Sequence, residues 1–338
     1  MQKYKISLMF LSPLHIGNGE QIEPFDYVIM DGKMYRFSLE NIIKKFDQSN
    51  LDDFYSSIND DNILHLRELV IKHFDPIEDT LYDVYVEPKV EENYKKSINE
   101  INNQLLISTF IRDPLSHAPY IPGSSLKGCI RTAVLNYLKY KNEIVISDED
   151  KSEKKTNFET KILNNSSPTD DPFKNLKVPD IFIDNRYIKV YWVKNVLIEN
   201  SRFKENSIKN FAECTYFELP NRTLHSNQEL IIDCYIKNSM EINKKLIVDS
   251  CNYFYQNNLI EEINYFQNAT DSENIIENLN SIKLLFEKYK TKDSFLLRVG
   301  RFSGKISKCI SGMLKDKPLS RNIIDNRSTL GWLMVFLS

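Results

Sequence analysis

The chain has 338 residues, with 44 Lys and Arg against 47 Asp and Glu and a formal net charge of -3. That is enough material for a large core, or for one core plus a satellite subdomain. Five scattered cysteines (Cys129, Cys214, Cys234, Cys251, Cys309) form no Cys-x-x-Cys pair and have no His at ligand spacing, which argues against a disulfide framework and a zinc site. No run approaches the ~18 apolar residues that span a bilayer. Ile6 to Leu14 is apolar enough for a signal peptide, but Ser7, Ser12 and Pro13 interrupt it and no small-residue cleavage site precedes Glu20. The expectation is a cytoplasmic protein with no membrane contact, no cofactor and no metal.

In chain order, Tyr4 to Ser12 alternates as a strand. Phe25 to Met30 and Lys33 to Phe37 flank Asp31-Gly32, a two-residue hairpin signal. Ser38 opens a helix that runs through Phe46, Asp52 to His73 reads as helical, and Leu81 to Glu87 and Gln104 to Arg112 read as extended. A helix follows from Ser124 to Lys141. Ser147 to Lys174, rich in Asp, Lys, Ser and Asn, reads as a flexible loop. Ile181 to Ile183, Tyr187 to Leu197, Thr215 to Leu219 and Glu229 to Ile236 are strand-like. Glu241 to Tyr289 holds two or three helices, expected as a helical subdomain inserted before the last strand pair. Ser294 to Val299 reads as a strand and Ile306 to Leu314 as a helix. No internal repeat is present.

Two motifs carry chemistry. In Tyr120-Ile121-Pro122-Gly123-Ser124-Ser125-Leu126-Lys127-Gly128-Cys129-Ile130-Arg131, the proline and glycine end one segment and Ser124 or Ser125 can cap the next helix. Leu126, Ile130, Ala133, Val134 and Tyr137 form its apolar stripe. Lys127 and Arg131 lie four apart on one flank, so free amides and two cations together can hold a phosphate. The same residues also describe an ordinary amphipathic helix with solvated cations. The second motif is Gly300-Arg301-Phe302-Ser303-Gly304-Lys305, a glycine loop between the strand and helix expected near the C-terminus. Three residues separate its two glycines, one fewer than in a nucleotide P-loop.

These motifs, with Leu11-Ser12-Pro13-Leu14-His15-Ile16-Gly17-Asn18-Gly19, resemble the RAMP superfamily of CRISPR RNA-binding proteins. Within it the likeness is to the subunit that caps the crRNA 3′ end in the type III-A Csm effector complex. Three further features carry that likeness: Pro24 to Ile29 after the N-terminal glycines, Ser320-Arg321-Asn322, and Leu330-Gly331-Trp332. The resemblance covers about a third of the chain.

It implies an α+β fold with a ferredoxin-like, RNA-recognition-motif-like core over roughly 1–37, 104–237 and 293–338. Residues 38–103 and 238–292 are then helical insertions, and 147–174 is a flexible loop in one RAMP-like domain. The implied role is a structural subunit of an RNA-guided antiviral complex, holding the 3′ part of the crRNA, capping the subunit filament and supporting crRNA 3′-end maturation. Its partners would be crRNA, target RNA, other RAMP subunits of the Csm complex and host nucleases.

The RNA-binding residues expected are Ser124, Ser125, Lys127 and Arg131, then Gly300, Arg301, Ser303, Gly304 and Lys305, with His15, Gly17, Asn18 and Gly19 as a third group. Phe302 is a candidate for stacking on a base, or equally a core residue.

Two alternatives stay open. Some RAMP relatives cleave RNA with an aspartate after the first strand or with a histidine. Asp26 and His15 are the nearest counterparts, able in principle to hold a metal or move a proton. The other alternative is a cap that binds only protein. Charge distribution bears on both. Ser294 to Ser338 carries eight Lys and Arg against two Asp, and Glu241 to Glu277 carries seven acids against Lys244 and Lys245. A basic face of that kind suits a phosphate backbone.

Overall fold

The computed structural model describes residues 2–100, 105–147, 150, 155–164, 168–206, 210–216, 231–236, 242–314 and 318–338. The N-terminal strand Gln2–Phe10 turns Ile6, Leu8 and Phe10 into the interior. It pairs antiparallel with the C-terminal strand Trp332–Leu337 on one side and with Ile231–Ile236 on the other. Ser294–Arg298 lies outside the C-terminal strand and Leu176–Lys177 outside Ile231–Ile236. Apart from the edge strand Ser294–Arg298, the strands run fourth, first, third, second by chain position. That is the antiparallel order of a ferredoxin-like βαββαβ unit.

The two helices that such a unit requires are the motif helix Gly123–Lys141, between its first and second strands, and the long helix Lys244–Phe266, between its third and fourth. They pack on each other, and the long helix lies against Ser294–Arg298. The motif helix buries Leu126, Ile130, Ala133 and Val134, the stripe read from its spacing, while Tyr137 is half-buried against Tyr253.

The long helix corrects an expectation. Its buried residues include Ile247, Cys251, Phe254, Leu259, Ile263 and Phe266, spread around its circumference. A helix apolar on several sides belongs to a core, so it is part of the central layer and not a satellite. Its successor Glu273–Tyr289 is one-sided, burying Ile275, Leu279, Ile282 and Phe286.

A second sheet is organised around the long strand Ile188–Glu199. Its first half pairs with Asn210–Thr215 and, in parallel, with Tyr82–Val86. From Val193 onward it changes partner to Ser320–Ile324, and beyond that to Arg202–Glu205. Tyr82–Val86 continues into the hairpin Tyr27–Met30 and Lys33–Arg36. The hairpin turn has Asp31 and Gly32 at φ 52° and 75°, the left-handed pair that a two-residue turn demands.

Four local expectations change. The helix expected over Asp52–His73 divides into Gln48–Asn59 and Ile63–His73, because Asp61 turns left-handed (φ 52°) and Asn62 caps the second piece. Gln104–Arg112 supplies only the short strand Ile107–Ser108, Gln104 lying outside the described residues. The strand expected from Thr215 instead ends there, as Asn210–Thr215, and 217–219 lie outside the described residues. Ile306–Leu314 makes one short 3-10 turn, Ile306–Lys308, in place of a helix. The Asn136 side chain holds that segment by accepting the Ser311 N–H at 2.7 Å and donating to the Cys309 carbonyl at 3.3 Å.

The segment expected to be flexible at Ser147–Lys174 is, where described, packed structure. The helix Lys155–Leu163 places Phe158 and Ile162 against Leu135 and Ile310, and Phe173 enters the main core. Its polar average conceals three large apolar anchors. Residues 148–149, 151–154 and 165–167 lie outside the described residues.

Candidate nucleic-acid interface

The glycine loop and the N-terminal glycine turn, almost 300 positions apart in the chain, are built against each other. Gly300 has φ +96°, and a Cβ there would lie 2.3 Å from the His15 carbonyl oxygen. No side chain fits that approach, and the left-handed backbone favours glycine independently. The Arg301 N–H donates to the same His15 carbonyl at 2.9 Å. Gly331 joins them, its N–H donating to the Pro13 carbonyl at 2.8 Å and its carbonyl accepting the Val299 N–H at 2.8 Å. The motif helix flanks the assembly, the Cys129 thiol donating to the Arg298 carbonyl at 3.5 Å.

This framework presents Arg301, Lys305, Asn18 and Gly19 to solvent, with Gly17 and Gly304 partly exposed. The Arg301 guanidinium reaches the Ser108 hydroxyl at 3.4 Å and makes no ion pair among the described residues. Lys308 reinforces the loop from behind, its ammonium donating to the Arg301 carbonyl at 2.9 Å. The Asn18 side chain accepts the Glu20 N–H at 2.9 Å, which shapes the turn.

Three expected contact residues face inward instead. Phe302 is only 8% exposed and packs with Val193, Ala212, Cys214, Ile324 and Leu330, so it anchors the loop in the core and is not displayed for stacking. Ser303 is buried, its hydroxyl donating to the Gly300 carbonyl at 2.8 Å. His15 is buried between Phe302 and Phe110, with ring centroids 5.1 Å and 6.2 Å away. Its Nδ1 lies 2.7 Å from the Glu213 carbonyl oxygen. A carbonyl only accepts, so Nδ1 carries the proton and Nε2 is a bare acceptor. Burial pulls the His15 pKa down to about 4, the bond to Glu213 opposing and Arg301 adding to the fall.

That environment also bears on catalysis. A general base must reach the proton it takes, and this ring is sealed. Asp26 is held by Arg36, 3.2 Å from its carboxylate, in the turn before the first hairpin strand. The two candidates therefore occupy separate structural positions.

The motif helix differs from its expected form. Pro122 occupies the N-cap, no serine caps it, and the first helical amide, of Gly123, donates to Asp180 Oδ1 at 2.8 Å. A Cβ on Gly123 would lie 1.9 Å from the Val178 carbonyl oxygen, so close packing of 178–179 dictates glycine here. Ser124 stays exposed in the first turn and Ser125 is half-buried. Arg131 pairs with Glu159 at 2.9 Å and Asp171 at 2.6 Å, and stacks over Phe173. It clamps the helix to the 155–175 segment. Lys127 remains without an ion pair among the described residues. Burial first, then Lys177 and Arg131, lower its pKa, while Asp171 opposes.

The basic C-terminal run is likewise partly internal. Arg298 and Glu262 are each 2% exposed and Arg321 is also buried. Glu262 accepts from Arg298 at 3.1 Å and from Arg321 at 2.5 Å. Two of the eight positive charges thus face a buried acid and Arg327 pairs with Asp325, while Arg301, Lys305 and Lys308 have no ion pair among the described residues.

Residues 7–307 match the RAMP superfamily. The chain belongs to that superfamily. It is 30% identical over 155 residues to the CRISPR system Cms protein Csm5 of Streptococcus thermophilus, covering 43% of this chain. It is 28% identical over 187 residues to Csm5 of Methanocaldococcus jannaschii, covering 52% of this chain. Each match spans 42% of the relative's own length. The fold is similar to a chain of the cryo-EM Csm–crRNA–target RNA ternary complex of a type III-A CRISPR-Cas system, with TM-score 0.64, 18% identity and full coverage of both chains. It is also similar to the crystal structure of T. onnurineus Csm5, with TM-score 0.61 and 16% identity over 97% of this chain and 99% of that one. No helix among the described residues is long and apolar enough to cross a membrane.

Within this RAMP fold, sequence reading missed Lys177 and Asp180. Both reach the motif helix through short edge strands, Leu176–Lys177 and Ile181–Phe182, whose pairing no local spacing announces. It also missed Glu213, whose buried carboxylate takes the Phe110 N–H at 2.8 Å and Arg112 at 3.0 Å. A lone glutamate amid Phe, Ala, Cys and Thr was the available sign, since buried charge requires a partner.

Proposed function

We propose that this chain is a non-catalytic, Csm5-like subunit of a type III-A CRISPR interference complex. It holds the 3′ part of the crRNA, caps the subunit filament and supports crRNA 3′-end maturation. One observation carries this reading: two distant glycine segments are fixed on one another so that backbone and the free cations Arg301 and Lys305 form a single exposed surface. Close backbone approach with unpaired cations suits a phosphate chain, which positions a protein on nucleic acid without reading sequence. Full-length likeness of the fold to a chain from a Csm complex supports the same reading. Lys127, Ser124 and Lys177 at the motif helix would extend the contact, and Asn18 and Gly19 would border it.

The test is purification of the tagged chain from its host, with sequencing of any bound RNA. Short RNAs ending in CRISPR spacer sequence, together with related subunits, support the proposal. Recovery of the chain with neither RNA nor such subunits would overturn it. Recovery with subunits that still assemble after RNA is digested, and that never held crRNA, would favour a protein-only cap.

A further inference from the structure

A cleft of about 350 Å³ opens between the two sheets, outside the residues assigned above. One wall is the end of the N-terminal strand at Phe10–Pro13; the other carries Lys189, Tyr191 and Tyr216. Its size falls within the range of small-ligand sites. Its cation is unusual. Lys189 is half-buried, lies 4.6 Å from the Tyr216 ring centroid and 5.7 Å from that of Tyr191, and makes no ion pair among the described residues.

Of the acids nearby, Asp325 is already ion-paired and Glu87 holds a backbone amide. Asp325 pairs with Lys89 and, at 3.5 Å, with Arg327. The Glu87 carboxylate accepts the Trp192 N–H at 3.4 Å. The Lys189 ammonium, within electrostatic reach of Glu87 and without an ion pair among the described residues, stands beside two tyrosine faces and matches a ligand with an anion next to a flat aromatic ring. The cleft also reaches the core beneath the glycine loop, for Tyr191 packs on the cluster containing Phe302 and Pro13 accepts the Gly331 N–H.

We propose that this cleft holds one unstacked nucleotide of single-stranded RNA, with Tyr216 and Tyr191 against its base and Lys189 at its phosphate. This rests on the RNA-binding reading above and adds a base-holding subsite to its backbone contacts. Stacking on an aromatic side chain is strong and tolerant of sequence, so one pocket can fix the register of a strand without selecting a base.

The test uses single-stranded RNA carrying 4-thiouridine at successive positions, photocrosslinking with peptide mapping, and dissociation constants across salt. Crosslinks to the peptides of Tyr191 or Tyr216 are expected from one RNA position. Tyr216→Ala should weaken binding roughly tenfold, while Tyr216→Phe, which keeps the ring, should bind as wild type. Lys189→Gln should lower the salt slope by about one. If wild type binds and Arg301→Ala with Lys305→Ala weakens it, but the cleft variants bind normally, the cleft is overturned and the RNA reading stands. Absence of RNA binding by wild type overturns both. Cleft variants that bind RNA normally but drop out of assembly with neighbouring subunits would assign the cleft to a peptide and overturn the nucleotide.

Discussion

The glycine loop and the start of the motif helix look alike as sequence: each has a helix-breaking glycine, serines and two spaced cations. In the folded chain they diverge. At the loop, glycines press backbone against backbone and leave Arg301 and Lys305 outside, without an ion pair among the described residues. At the helix, Asp180 takes the first free amide and Arg131 is held by two carboxylates. A basic residue is available to a ligand only if the fold has not already supplied its counter-charge, and that counter-charge usually comes from a distant segment.

The most severe way to test this division is to remove an internal counter-charge. Glu262→Ala leaves Arg298 and Arg321 buried without their acid. Breaking such a group costs about 3–5 kcal/mol, because uncompensated charge stays in the core. A large fall in the urea midpoint is expected, with the glycine loop loosened because Arg298 lies two residues before Gly300. A loss below about 1 kcal/mol would mean that solvent reaches these guanidinium groups and that the basic run is less internal than it looks.

His15 provides the next largest effect. Its folded pKa, near 4, lies below the ordinary 6.5, so the unfolded chain binds the extra proton first. Its contribution is fully present above about pH 6.5, falls as pH drops, and is gone by about pH 4. The shift corresponds to about 3 kcal/mol. Unfolding measured from pH 7.5 to 4 should steepen in wild type and flatten in His15→Gln. Parallel curves would sink the buried-neutral assignment and restore His15 as a group that can titrate at the surface.

The N-terminal strand, the strand through Tyr187 to Leu197, the hairpin at Asp31-Gly32 and the motif helix are legible in the sequence, because period and turn chemistry are local. It misplaced what depends on remote partners. Phe302 and Ser303 share a loop with Arg301, and nothing in their spacing separates core anchors from exposed cations. The long helix reads as part of an insertion because residue order does not disclose which sides of a helix are covered. Ser147–Lys174 was misjudged through its polar average, although Phe158, Ile162 and Phe173 are sufficient to pin it. Among the sites, the glycines were legible as such, whereas their mutual contact through the His15 carbonyl was not.

Paired double variants sharpen the comparison directly. Arg301→Ala with Lys305→Ala should lower RNA affinity for every sequence, flatten the salt slope by about two and leave stability unchanged. Lys127→Ala with Arg131→Ala should flatten the slope by about one, through Lys127 alone. It should also lower stability by about 1–2 kcal/mol, since Arg131 packs on Phe173 as well as pairing. Equal slope changes in the two variants, with no loss of stability in the second, would show that Arg131 leaves its carboxylates for RNA.

The smallest expected effect tests whether the helix start is closed or merely screened. Asp180→Ala removes the acceptor of the Gly123 N–H and one negative charge from the positive end of a nineteen-residue helix. Loss of a carboxylate at a helix N-terminus costs about 1 kcal/mol of stability. If that terminus lies on the RNA path beside Lys127 and Lys177, the freed N–H should donate to a phosphate oxygen, and affinity should rise two- to fivefold at low salt, about 0.4–1 kcal/mol. If affinity is unchanged while stability falls, Asp180 is structural and the strand passes only over the glycine loop. The two outcomes share the loss of stability and differ only in affinity, so a single variant measured both ways places the edge of the interface.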